Sequence, residues 1–298
     1  MSRKATNENR EVLPSEGTQL SHSERVKLSS QKRKHAVVRR NFIIFIIFVF
    51  IAAAAGTAIS AAFFKVNNIV VKNSDKNVNV SSHYTKEQII AASGIQTGKN
   101  LITLNTSGIR AGIETALPYI GSVRIDRKLP DRVEITVTDT SAAYAVETAG
   151  GYVLLNENAK TLENPSSSIP SGAALVTGLS VKDAQSGSDC SFNEQSKYEK
   201  LTRLHDLFKK YGVTEVTKIN LESDTDIRFV CENRITCILG SMTSADEKVR
   251  LAAKSIAAEN EKSYISDILI DLSFEGNAYV RPDRDKSDIL STSEPVTA

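Results

Sequence analysis

Tryptophan is absent from this chain, and only four histidines and three cysteines occur in its 298 residues. Without tryptophan, and with no interleaving of basic and aromatic residues, the chain lacks the platform that grips single-stranded nucleic acid by stacking. The net charge of +2 argues against a general nucleic-acid binder, because the basic excess is local. His22 and His35 fall in a polar N-terminal segment, His83 in a loop and His205 on a helical stripe, so no spacing suits a metal. Cys190, Cys231 and Cys237 form an odd set and do not describe a disulfide framework. Cys231 and Cys237 flank a turn at Glu232-Asn233-Arg234. They can face each other across a hairpin, or serve as two half-buried strand residues acting as small hydrophobes.

Charge is also missing from one long stretch, FIIFIIFVFIAAAAGTAISAAFF, Phe42 to Phe64. As a helix it would extend ~35 Å at about 1.5 Å per residue, enough for a hydrocarbon core of roughly 30 Å. Arg25, Lys27, Lys32, Arg33, Lys34, Arg39 and Arg40 precede it, and such a flank stays in the cytoplasm. The layout predicts an uncleaved single-pass anchor over 42–64, with everything after Lys65 outside. The rival is a cleaved secretory signal, since the Ala-rich half offers A-x-A-like sites; the length of the run and of the charged leader stand against it. Residues 1–41, rich in Ser, Asn, Lys and Glu, have no apolar periodicity and predict a disordered basic tail. Ala52, Gly56 and Ser60 make a small-residue face that permits close helix approach, or recur by chance in an Ala-rich helix.

Beyond the anchor the pattern is that of a folded chain. Phe64 to Val71 reads as a strand. In TKEQIIAASG, Thr85 and Gln88 form a capping box, Ile89 and Ile90 supply an apolar face, and Gly94 can take the left-handed conformation that ends a helix. Asn105 or Thr106 caps a second helix, with Ile109, Ile113 and Leu117 on one stripe, and Pro118 stops it. In LPYIGSVRIDRKLPDRVEITVTD, Leu117 to Asp139, Val123 and Ile125 alternate with charged residues. Leu129-Pro130-Asp131 turns the chain, and Val133, Ile135 and Val137 alternate with polar ones. One face of this hairpin is dry and covered by the two helices. The order β-α-α-β-β is a compact α+β module with charge outside and no reactive cluster, which suits docking.

The remainder is richer in β-structure. Ala143 to Val146, Gly151 to Leu155 and Ala173 to Thr177 read as strands, and Ser180 to Asn193 as a polar loop. A helix carries Leu201, Leu204, Leu207, Phe208 and Tyr211 on one side and ends at Gly212. Val213 to Leu221, Asp226 to Cys231 and Ile235 to Leu239 resume the strands. Asp246 to Asn260 forms a helix with Val249, Ala252, Ala253 and Ile256 inward. Ile265 to Leu272 and Asn277 to Arg281 make a last hairpin, before a flexible tail, 283–298.

From Phe64 to Thr140 the sequence resembles a POTRA domain of the FtsQ/DivIB type. The features that carry the likeness are FKVNNIVV directly after the anchor, YTKEQIIAASGIQTGKNLITLN, and the hairpin with its two Leu-Pro steps. Downstream, GYVLLNENAK is similar to a family hairpin, with Asn156 where Asp is common and Ala159 where Gly is common. ISDILIDLSFEGNAYVRP is similar to the closing hairpin, whereas Ser166 to Ser191 departs from the pattern. The resemblance implies an α+β chain: one transmembrane helix, a POTRA module over 65–139 and a β-rich curved-sheet domain with flanking helices over 140–282. It also implies a non-enzymatic divisome scaffold at the septum, needing no cofactor and no metal. Its partners would be the coiled-coil division proteins FtsB (DivIC) and FtsL, and other division membrane proteins recruited through the POTRA face. The implied docking residues are Asn277, Ala278, Tyr279, Val280 and Arg281, on a terminal edge strand that another strand can complete.

Two chemical readings compete with it. GIQTGKN differs from a phosphate loop: three residues separate its glycines, Asn100 replaces the Mg²⁺-binding hydroxyl, and a helix ends where one should begin. Thr236-Cys237, with His205 and Arg234, suggests an anchored thiol enzyme of the sortase kind, although the full motif is missing and a thiolate needs a base or cation beside it. Another POTRA-bearing assembly or transport protein is the remaining alternative.

Overall fold

The computed structural model describes residues 39–56, 63–75, 77, 80–262, 266–274 and 276–283. The expected loose tails, 1–41 and 283–298, fall almost wholly outside these residues, as does Ser60. The chain divides into two units, Met1–Phe63 and Phe64–Ala298. In the first, helix α1 spans Arg39–Gly56, is long and apolar enough to cross a membrane, and has none of its surface buried. Its large side chains from Phe42 to Ile51 are all exposed, a distribution that suits lipid rather than water. The described helix includes three residues ahead of the apolar run, Arg39 to Asn41.

The second unit opens with β1 (Asn68–Asn73), α2 (Lys86–Ser93), α3 (Thr106–Ala116), β2 (Ile120–Lys128) and β3 (Arg132–Asp139). These strands form a sheet of order β1-β3-β2, with β1 parallel and β2 antiparallel to β3. A parallel neighbour requires a crossover, which α2 and α3 provide. Val133, Ile135 and Val137 of the central strand are fully buried and meet Ile89 and Ile113 in a core of their own. The capping box forms as the sequence predicts: the Gln88 N–H donates to the Thr85 hydroxyl at 3.3 Å and the Thr85 N–H to the Gln88 side chain at 2.8 Å. Gly94 takes a φ of 61° at the end of α2. Asn105, not Thr106, caps α3, accepting from the Gly108 N–H at 3.0 Å. The first strand starts at Asn68 rather than Phe64. The preceding backbone is bonded to loops instead, through Leu101 N–H to Phe64 (2.8 Å) and Asn67 N–H to Asp131 (2.9 Å).

The rest comprises β4 (Tyr144–Thr148), β5 (Gly151–Leu155), β6 (Thr161–Ser166), β7 (Ala174–Thr177), β8 (Val181–Asp183), β9 (Ser191–Phe192), α4 (Gln195–Tyr211), β10 (Val216–Asn220), β11 (Ile227–Cys231), β12 (Ile235–Gly240), α5 (Ala245–Asn260), β13 (Ile268–Asp271) and β14 (Tyr279–Pro282). Nine of these strands make one mixed sheet in the order β14-β13-β12-β11-β10-β7-β4-β5-β6. β7 and β10 are parallel, as are β12 and β13; α4 and α5 lie on these two crossovers. The helices bury Leu201, Leu204, Phe208, Val249 and Ala252 with Phe229, Cys237 and Ile270 of the sheet. Phe208 and Phe229 meet with ring centroids 4.8 Å apart. Lys248 is buried on α5, and its ammonium donates to the carbonyls of Leu239 (3.0 Å) and Ser241 (3.2 Å), fastening the helix to the end of β12.

Three details depart from expectation. Ser180–Asn193 is not a plain loop, because β8 and β9 pair there as a small antiparallel ribbon. Strand β6 carries no strand signal in its sequence: Thr-Leu-Glu-Asn-Pro-Ser lacks alternation, and proline and asparagine are poor strand formers. Cys231 and Cys237 are fully buried and unbridged, not half-buried. They lie on different rungs, Cys231 opposite Ile235 and Cys237 opposite Phe229.

Polar contacts join the two sheets. The buried Lys160 ammonium donates to the Ile120 carbonyl at 2.7 Å, Tyr119 donates its hydroxyl to Glu163 at 2.6 Å, and Asn156 donates to the Thr140 hydroxyl at 3.3 Å. Gly187 lies so close to the Thr115 carbonyl at the end of α3 that a Cβ there would collide with it.

Candidate partner-binding edge

A sheet of nine strands has two ends, and here they differ. At the β6 end the segment 187–190 runs alongside. Thr161 N–H donates to Ser188 (2.9 Å), Gly187 N–H to Thr161 (2.8 Å) and Cys190 N–H to Ala159 (2.9 Å). Pro165 removes a further donor, and the pairing of β5 with β6 shifts register twice. That edge is covered or broken.

At the other end, among the described residues, β14 pairs with β13 alone, and all four of its residues are exposed. Its pairing decides which amides face outward. Asp283 N–H donates to the Asp267 carbonyl at 2.9 Å, and the register places Arg281 opposite Leu269 and Tyr279 opposite Asp271. Antiparallel ladders alternate bonded and non-bonded pairs. Tyr279 and Arg281 therefore turn their amides towards β13, while Val280 and Pro282 turn theirs to the open side. Proline has no N–H, so Val280 carries the one outward donor of the strand.

The implied docking residues are not all on this strand. Tyr279, Val280 and Arg281 are; Asn277 and Ala278 precede it, and Ala278 packs partly against the core. Phe274, outside the implied set, belongs to the same surface. It is 59% exposed, and its ring meets that of Tyr279 edge-on at 5.6 Å between centroids; Tyr279 and Val280 are 56% and 44% exposed. An aromatic on a Gly-bearing turn was the available signal. The edge thus combines an unpaired backbone donor with an exposed aromatic pair, the combination that strand addition uses for affinity and for side-chain selection.

The nucleophile considered above lies elsewhere. Cys237 is fully buried in β12, and that burial pushes its thiol well above the usual range. Burial likewise pushes Cys231 up to about 12 and Cys190 up to about 11. Each shift favours the neutral thiol over the reactive thiolate. His205 is engaged by other groups: its Nδ1 lies 2.6 Å from the Tyr144 hydroxyl and its Nε2 3.4 Å from Glu157. It borders a cleft of about 410 Å³ shared with Ser82, His83, Asp139 and Glu157, and no cysteine lines that cleft. In the cleft wall, burial works to raise the Asp139 carboxyl. The Ser82 N–H, the Ser81 and Ser82 hydroxyls and the His83 side chain outweigh it and hold the group below the usual carboxylate range.

A family profile described as POTRA domain, FtsQ-type, matches residues 64–139, the part that holds the three-stranded sheet. Curated relatives extend the likeness through the nine-stranded one. "Cell division protein DivIB" of Clostridium tetani is 26% identical over 219 residues, covering 73% of this chain and 79% of the relative. The DivIB of Clostridium botulinum strain Loch Maree is 24% identical over 259 residues, covering 87% and 95%. "Cell division protein FtsQ" of Corynebacterium glutamicum is 22% identical over 156 residues, covering 47% and 67%. Together the FtsQ-type POTRA match and these relatives support an FtsQ/DivIB-type cell-division protein. The likeness supports a division-related role for this chain, and α1 fits anchoring in a membrane.

Proposed function

We propose that this FtsQ/DivIB protein is a non-enzymatic scaffold of the division septum. The basic flank before α1 argues for an N-terminus in the cytoplasm and the second unit outside. The POTRA domain would recruit other division membrane proteins, and the β14 edge would bind the coiled-coil proteins FtsB (DivIC) and FtsL by strand addition. In that way the protein would control septal peptidoglycan synthesis without catalysing it. The observation that carries the reading is the asymmetry of the nine-stranded sheet: one end is covered, while the other offers the Val280 N–H beside the exposed Phe274 and Tyr279. The residues implied by resemblance and the open edge coincide at Tyr279, Val280 and Arg281.

The test joins cell biology to biochemistry. Depletion should give filamentous cells, and a tagged copy should concentrate at the septum. Tyr279→Lys should abolish co-purification of the FtsB/DivIC–FtsL pair while the circular dichroism spectrum stays unchanged. Undiminished capture by that variant would remove the edge from the reading. Normal division after depletion would remove the scaffold role itself.

A further inference from the structure

The apolar run of the sequence ends at Phe64, and Lys65 is the first charge beyond it. No slack follows. Leu101 N–H donates to the Phe64 carbonyl (2.8 Å), Val66 N–H to Lys99 (2.9 Å) and Gly98 N–H to Val66 (2.8 Å). Asn67 and Asn68 both donate to the Asp131 carbonyl, at 2.9 and 3.2 Å. Two loops, 98–104 and 128–132, are thus bonded directly to the backbone that follows the apolar run. At roughly 3.5 Å per residue, Asn68 is at most about 14 Å from Phe64. The Arg127 guanidinium ties the loops to each other by donating to the Leu104 carbonyl at 2.6 Å.

These loops and the segment they hold share one composition. Lys65, Lys99, Lys128 and Arg132 are exposed, and among the described residues none has a carboxylate within ion-pair distance. The two acids nearby are committed: Asp126 pairs with Arg124 at 3.1 Å, and Asp131 accepts from the Asn68 side chain at 3.4 Å. Each loop also presents one aliphatic side chain to solvent, Leu129 at 64% and Ile102 at 45% exposure. Unpaired bases around protruding aliphatics, a few residues of chain from the apolar run, match the interfacial zone, where apolar tips sink between headgroups and cations meet phosphates.

We propose that this face of the POTRA domain is a second membrane contact, which binds anionic phospholipid headgroups of the membrane that anchors the chain. The contact would fix the tilt of the domain on the bilayer, and so the height at which the rest of the unit meets partners. It rests on α1 acting as an anchor and not on the β14 edge.

The absence of tryptophan supplies the experiment. Leu129→Trp in the full-length chain introduces a single reporter at the tip of the β2–β3 hairpin, and Ile102→Trp does so on the other loop. Each is reconstituted in nanodiscs of phosphatidylglycerol mixed with phosphatidylcholine, and in discs of phosphatidylcholine alone. We expect emission in the anionic discs to move about 10 nm to shorter wavelength and to be quenched by brominated acyl chains, with both effects weakened in 0.5 M salt as screening predicts. Adding Lys99→Glu, Lys128→Glu and Arg132→Glu should abolish the difference between the discs. Identical emission in the two lipids, or a shift that survives charge reversal, would overturn the proposal. A chain that fails to enter discs at all would instead refute the anchor, and loss of partner capture with the lipid response intact would bear only on the edge.

Discussion

Replacing Val280 by proline tests the assignment of the open edge most directly, because folding and pairing are expected to respond differently. The Val280 N–H faces away from β13 and its side chain is 44% exposed, so the fold loses no ladder hydrogen bond. Proline is tolerated in an edge strand when its missing N–H would have faced solvent, and Pro282 already occupies the equivalent outward position. The stability change should stay within about 1 kcal/mol, or roughly 2–4 °C in Tm for a unit of this size. A strand added at the open side would lose one hydrogen bond worth about 0.5–1.5 kcal/mol, and the ring would crowd the incoming carbonyl. Together roughly 1.5–3 kcal/mol is expected, a weakening of about 10- to 150-fold in Kd.

The assay is binding of the full-length chain in nanodiscs to the purified coiled-coil pair, with Tm followed by circular dichroism. Arg281→Pro is the informative counterpart, since the Arg281 amide faces β13. That change should fray β14 and lower both stability and binding. Val280→Thr keeps the N–H and the β-branch and should bind within about threefold of the parent. Unaltered binding by Val280→Pro would refute use of this edge. A fall in its Tm of more than about 8 °C, roughly twice the upper bound, would refute the alternation itself.

Three further outcomes are expected. Gly187→Ala places a Cβ against the Thr115 carbonyl at a φ of +85°; it should destabilise the junction of the two sheets by about 1–3 kcal/mol, seen as a thermal transition that broadens or splits. The Asp139 carboxyl titrates below its ordinary 3.8 in the folded chain, so its stabilisation is complete above that value and is lost as pH falls through the lowered one. Asp139→Asn should therefore flatten the acid limb of Tm against pH, and an unchanged limb would dissociate the serine contacts from stability. Cys237→Ala should support division after depletion of the parent, at a cost of about 1 kcal/mol for the lost core volume; failure to complement with the fold intact would restore the thiol reading.

What could be read from the sequence was what local physics decides. The Thr85–Gln88 box, the left-handed Gly94 and Gly212, and the stripe Leu201, Leu204, Leu207 and Phe208 on α4 depend on neighbours within a few positions, and each has the expected geometry. Features fixed by distant chain were less legible. β6 is a strand because β5 and the 187–190 segment flank it, despite Glu163, Asn164 and Pro165. Lys160 and Lys248 look like surface cations, yet both are buried because backbone carbonyls receive their ammonium groups. The edge depended on strand order. Tyr279, Val280 and Arg281 could be placed on the last strand from pattern, but which amide faces outward follows only from the register with β13.

That register also limits what the edge can accept. Open edges invite uncontrolled pairing, and proteins restrain them with short strands, charge and proline. β14 has four residues, with Arg281 exposed and Pro282 at its end. Its outward donor, at Val280, is followed two residues later by a position with no N–H to give. A partner strand can pair around Val280 but finds no donor at Pro282, so the ladder it forms must be short and its register is set by this chain. Most of the selectivity then has to come from side chains beside the ladder, and Phe274 and Tyr279 are the large exposed groups in reach. If the edge serves as a docking site, a brief backbone match with an aromatic pair at its flank would discriminate against generic strands, because a segment that lacks an apolar residue at the matching position would have too few hydrogen bonds alone to hold it.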